Sequence, residues 1–256
     1  MGAGVLSCAA GFGLSYHPSL YGDRTLAKSF INVGLKTFFW SYYEGYAKAR
    51  KKTGPGKYAD DFNIEKFGEL FAAVWDPDVL SRISVWLPAL TVTAGNTAAI
   101  LINDGGENAV WNTGKAYLGD VEVPILAGLI STIAIGCVSS AFTAIGEEAF
   151  FRGFEYEELK INLDLVPAKA VNAVSFSALH IPQEIAGGLE LSDILIQAGF
   201  RAVLTLGLQW AYDDGGLKYS AAQHMWIDAS ALILNYILCS GIPGEARLSL
   251  SINMKL

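Results

Sequence analysis

Long apolar runs, each closed by a polar break, organise this chain. The first clear run covers residues 29–46 and is rich in Phe, Trp and Tyr. Behind it come Lys48, Arg50, Lys51, Lys52 and Lys57, interrupted by Gly54, Pro55 and Gly56, a pattern that predicts a solvated loop. A second run covers 80–102 and stops at Asp104, Gly105, Gly106 and Glu107; the loop that follows, to about residue 122, is acidic on balance. A third, 123–145, has no charged residue across 23 positions and is the strongest membrane-span candidate, since a helix needs about 20 apolar residues to cross a bilayer. Residues 168–189, 193–212 and 217–240 are each long enough for a further helix. Residues 58–78 are amphipathic and suit the membrane interface, and residues 1–16, apolar and Gly-rich without a basic leader, read as part of a first membrane segment. The pattern predicts an all-α fold, a polytopic transmembrane helical bundle with about six to eight membrane helices. Residues 1–122 supply N-terminal membrane helices and a basic cytoplasmic loop, 123–240 form a core, and 241–256 a C-terminal tail, in one integrated domain.

Composition agrees. Hydrophobic residues make up 52% of the chain and charged ones 17%, against about 25% charged in a soluble domain. The shortfall points to a surface that faces lipid. A net charge of −7 argues against nucleic acid, which rewards a clustered positive face. Cys8, Cys137 and Cys239 sit in apolar surroundings without CxxC spacing and read as small buried hydrophobes. Basic loops favour the cytoplasmic side. That rule orients 80–102 outward and 123–145 inward, leaving the end of the third run towards the cytoplasm.

From residue 146 onward, charge enters the apolar segments. A charged side chain at mid-bilayer costs about 2.5–3.5 kcal/mol on insertion scales, so such residues face the bundle interior and pair. The first cluster is GEEAFFRGF, Gly146 to Phe154, in which Glu148 and Arg152 are four apart on one helical face and can pair. Glu147 points about 100° away and is left for another task. The second is FSALH, with Phe176 and His180 one turn apart. The third is HMWID, with His224 and Asp228 again four apart. Of three histidines, two lie in these clusters; His17, before Pro18 in a polar turn, reads as structural.

Two glutamates, two histidines and an aspartate in a low-dielectric cavity suit hydrolysis. A buried carboxylate can activate water as general base, a histidine can share the proton, and a second histidine with a hydrogen-bonding neighbour can stabilise an oxyanion. Alternatively Glu147, His180 and His224 ligate a zinc ion that acidifies bound water. The residues permit either arrangement, although HExxH is absent. A non-catalytic binding or scaffold protein, and a small transporter with a proton relay, are the competing readings.

The ordered triple EExxxR, FxxxH and HxxxD on separate apolar segments resembles the CAAX-protease and bacteriocin-processing family of intramembrane proteases. The resemblance spans about 123–240. It implies a membrane-embedded, metalloprotease-labelled or glutamate-dependent endopeptidase acting on a membrane-associated peptide or prenylated protein, within a lipid bilayer. On it, Glu147 and His180 activate the water, His224 and Asp228 form the oxyanion site, and Glu148, Arg152 and Phe176 support them. The family's prenyl-protease branch often has Asn where this chain has Asp228, and that departure favours the metal-assisted version. Small size adds the expectation of a prokaryotic inner membrane with the site towards the cytoplasm.

Overall fold

The computed structural model describes residues 25–53, 65–104, 106–186 and 188–243. The expectations for Cys8, His17, residues 1–16 and 58–64, most of the basic loop after Arg50, and the tail beyond 243 lie outside the described residues. Within the described residues every long apolar run becomes a helix of nearly the expected extent. Helix α1 covers Thr25–Thr53. Two short helices follow, α2 (Phe67–Ala73) and α3 (Pro77–Leu80), in place of one interfacial helix, because Asp76 accepts a hydrogen bond from the Asp78 N–H and Pro77 restarts the chain at the first helical position. Helix α4 covers Ile83–Asp104 and α5 covers Val110–Thr113, ended by Gly114 at φ 67°. A two-residue antiparallel ribbon, β1 (Tyr117–Leu118) with β2 (Val121–Glu122), turns the chain into α6 (Ile125–Phe150).

Helix α6 does not stop at its apolar end. It passes through a π-helical stretch, Phe151–Tyr156, into α7 (Glu157–Asn162). The continuous span Ile125–Asn162 has 38 residues, about 57 Å at 1.5 Å per residue and close to twice a ~30 Å hydrocarbon core. Helices α8 (Leu165–Ala186), α9 (Leu191–Gly215) and α10 (Leu217–Cys239) complete the bundle, with Gly216 at φ 74° making the sharp turn between the last two.

Side-chain pairs set the helix directions. Helix α1 runs parallel to α6: Phe39 stacks on Phe150, and further along both Tyr46 meets Phe154. Helix α10 runs against α6, with the Tyr236 hydroxyl donating to the Ile125 carbonyl at one end and His224 beside Glu148 at the other. Helix α8 opposes the π segment through Asn172 and Phe176. Helix α9 opposes α8, from the Arg201–Glu184 pair to the Gln209–Asn172 bond. Helix α4 runs with α10, its Thr93 bonded to Ser230. The six long helices therefore alternate in direction along the chain.

The usual inside-out distribution of a water-soluble core is reversed. Leu126, Ile130, Ile135 and Val138 on α6 and Leu195, Val203 and Leu206 on α9 are exposed, while Glu147, Glu148, Arg152, Gln209, Gln223 and His224 are buried. Large exposed apolar faces need an apolar solvent. Among the described residues three stretches, Ile83–Ile102, Ile125–Asn162 and Leu191–Gly215, are long and apolar enough to cross a membrane. The expected count of six to eight spans is wider than those three; α1, α8 and α10 carry too much internal polarity to qualify on composition.

Candidate active site

The π segment sits where the chemistry is. At its start the Phe151 N–H is shared between the Glu147 and Glu148 carbonyls, and π-helical turns recur at functional sites. It follows directly on the GEEAFF stretch and carries Arg152 inward. Arg152 is fully buried and donates from Nη1 to Glu148 Oε1 at 3.1 Å. Its guanidinium lies over the Phe176 ring, 4.5 Å from the centroid. Phe176 in turn stands edge-on to His224, centroids 5.8 Å apart, and tilted against His180 at 5.2 Å. One aromatic ring on α8 thus spaces the Arg and both imidazoles.

His224 is fixed by Glu148. Its Nδ1–H donates to Glu148 Oε1 at 2.8 Å, since an ionised carboxylate only accepts. That sets the tautomer and turns Nε2 towards Asp228 Oδ2 at 3.5 Å and Glu147 Oε2 at 3.7 Å. The tight orienting partner is therefore Glu148, four residues from Arg152, and Asp228 is a looser charged neighbour. His180 is half-buried, its Nδ1 bonded to the Phe176 carbonyl at 3.0 Å. It lies within electrostatic reach of Glu147. The structure thus gathers all seven predicted side chains, from α6, the π segment, α8 and α10.

It also corrects one expectation. Glu147 is not left unengaged: the ammonium of Lys36, on α1, is ion-paired with it, and both side chains are buried. Lys36 is reached because Gly146 has no side chain. A Cβ there would stand 2.9 Å from Lys36 Cβ and 3.0 Å from its carbonyl oxygen, so the two helices touch backbone to backbone. The signal was in the sequence, a lone lysine inside the aromatic run 29–46, but no local spacing links it to Glu147, 111 residues away.

Charge in the cluster is uneven. Glu147, Glu148 and Asp228 face two basic side chains, Lys36 and Arg152. A dry site tolerates an unpaired charge poorly, and here the acids and bases are paired with one another around His224. That is the equipment of an acid–base site. Among the described residues no three His, Cys, Asp or Glu side chains converge on one point that could hold a metal ion, and the Glu147 carboxylate is paired with the Lys36 ammonium. The zinc expected of Glu147, His180 and His224 gains no support from this geometry.

Residues 129–230 match the Rce1-like type II CAAX prenyl endopeptidase family. The Rce1-like stretch takes in every predicted site residue from Glu147 to Asp228 and covers less than half of the chain; Lys36 lies outside it. The family is one of CAAX-protease-type endopeptidases of membranes, in agreement with the apolar helices. No curated protein and no solved structure matches the chain.

Proposed function

We propose that this protein is an intramembrane endopeptidase that cleaves a peptide bond of a membrane-associated substrate, prenylated or otherwise lipid-anchored, with a water activated by Glu147 and His180. The observation that carries the reading is the placement of the buried Glu147 carboxylate beside the His224 ring, within reach of His180, at the junction of three helices. Glu147 is the general base. His180 shares the proton and passes it to the leaving amine. His224, held in one tautomer by Glu148, turns Nε2 inward, and once that nitrogen is protonated it donates to the developing oxyanion beside Asp228. Arg152 pairs with Glu148 and holds it in place. No step uses a metal.

The Lys36–Glu147 pair favours one other reading, a structural ion pair in a non-proteolytic membrane protein. Cleavage of a panel of membrane-anchored peptides separates the two. Glu147→Ala and His180→Ala each lower the rate by about 10²–10⁴-fold, the usual contribution of general acid–base catalysis, without loss of membrane insertion, and the wild-type rate persists in a chelator. An unchanged phenotype in both variants leaves only the structural reading.

A further inference from the structure

Helix α9 supplies none of the gathered site residues, yet a polar stripe runs down it. Gln197, Arg201, Thr205 and Gln209 recur at every fourth position, Arg201 half-buried and the others buried. Leu195, Val203 and Leu206 elsewhere on the same helix are exposed. Helix α8 carries a stripe with the same step: Asn172, Phe176, His180 and Glu184. The two stripes are joined at both ends. At one, Gln209 Nε2 donates to Asn172 Oδ1 at 2.9 Å, and Asn172 Nδ2 donates onward to the Phe151 carbonyl and to Glu155 Oε2, both at 2.8 Å. At the other, Arg201 is ion-paired with Glu184 and donates from Nη2 to Gln197 Oε1 at 3.1 Å. Helical side chains lean towards the start of their helix, so Arg201 meets Glu184 at the level of Gln197. With Asn172 opposite Gln209, equal steps place the small Thr205 opposite Phe176 and Arg201 opposite His180, within whose electrostatic reach it lies. Phe176 and His180 are thus bracketed by the two joints.

We propose that Arg201 and Gln209 are positioning residues that fix the axial register of α8 against α9 and so hold His180 level with Glu147. The catalytic consequence rests on the proteolytic reading; the register itself does not. Apolar ridges repeat every turn of a helix, so apolar packing between α8 and α9 accepts a neighbouring register almost as well. The polar joints do not. A slip of one turn, about 5.4 Å, parts Gln209 from Asn172 and Arg201 from Glu184 together, in a setting where an unpaired polar group is costly. A buried ion pair adds little net stability, and its best-attested use is to specify register. The same slip carries His180 past Glu147, and a misplacement of about 1 Å already costs on the order of a hundredfold in rate. Asn172 extends the joint to the π segment through the Phe151 carbonyl, the residue before Arg152. One seam therefore ties α8 to α9 on one side and to the helix that bears the glutamates on the other.

The test places spin labels at Ile130→Cys on α6 and Val174→Cys on α8, both exposed, in full-length protein without its native cysteines, held in nanodiscs. The distance between the labels is read beside the melting temperature and the cleavage of membrane-anchored peptides. The otherwise unsubstituted protein is expected to give one narrow distance. Arg201→Met/Glu184→Met, which buries no charge, should melt no lower, broaden that distance, and lower kcat about ten- to a hundredfold with KM within about twofold. The exchange Arg201→Glu/Glu184→Arg, which keeps the joint with its signs reversed, should restore the narrow distance and most of kcat. Gln209→Met loosens the other joint and should shift distance and kcat in the same direction as the double Met variant. An unmoved, narrow distance in the double Met variant overturns the proposal, any loss of kcat then coming from the charge beside His180. A rise in KM with kcat unchanged also overturns it, the pair then touching the substrate, as does a melting temperature that falls in step with kcat. A distance that broadens in the Met variants and narrows again in the exchange, in a protein that cleaves no peptide, leaves the register standing and removes the proteolytic reading instead.

Discussion

Arg152 is the largest side chain without exposed surface, and its only carboxylate hydrogen bond is to Glu148. A buried pair is a poor source of net stability, but breaking it leaves a bare charge, at a cost of about 3–5 kcal/mol. Arg152→Ala is therefore expected to lower the melting temperature in detergent sharply. Arg152→Met combined with Glu148→Gln should recover most of that loss, yet still cleave poorly, because the His224 Nδ1–H then loses its ionised acceptor. A double variant as unstable as the single one would show that the guanidinium matters through its packing on Phe176 rather than through charge. The Glu148–Arg152 pair and the His224–Asp228 neighbourhood were legible from spacing alone, since residues four apart on a helix share a face. That Glu148 also grips His224, and that Lys36 neutralises Glu147, was not, because both contacts cross between helices.

At the level of elements, the α1–α6 contact is written in glycine. Gly146 meets Lys36, and Gly153 meets the Tyr43 ring at 2.6 Å from a would-be Cβ, both pairs being seven residues apart in their helices. Gly146→Ala is expected to force the helices apart and lower both stability and cleavage. Gly136→Ala, whose Cβ would find Leu232 at 3.5 Å, is the tolerated control and gains helix propensity. Thermal unfolding of the two variants side by side checks this. A second element-level device lies at the start of α10, where Glu65 approaches Gly216 and accepts a hydrogen bond from the Lys218 N–H. Burial is the main cause that lifts its pKa from the ordinary 4.5 to about 7, against the opposing pull of Lys218. The folded protein then holds the proton over a range where the unfolded chain has released it. Stability is fullest below about pH 4.5 and declines as pH rises towards 7. Glu65→Gln should flatten that decline and melt higher than wild type at pH 8; an unchanged slope between pH 5 and 7.5 would rule out Glu65 as its source.

For the whole molecule, alternation of six long helices places the end of α1 and the α4–α5 turn on opposite sides. Lys48 and Glu107 are both exposed, so Lys48→Cys and Glu107→Cys, in a background without the native cysteines, are expected to react with an impermeant maleimide from opposite faces of sealed vesicles. Labelling from the same face would break the alternation. The basic-loop rule predicts that Lys48 is the cytoplasmic one of the two. The long span Ile125–Asn162 carries the site in its C-terminal half.

Helix positions, the all-α class and the three motif clusters were determined by the sequence itself, because each depends on short-range facts: the length of an apolar run, a polar break, a spacing of four. What only the tertiary structure decided is which groups share a cavity. Lys36 and Glu147, 111 residues apart in the chain, are brought together by the missing side chain of Gly146.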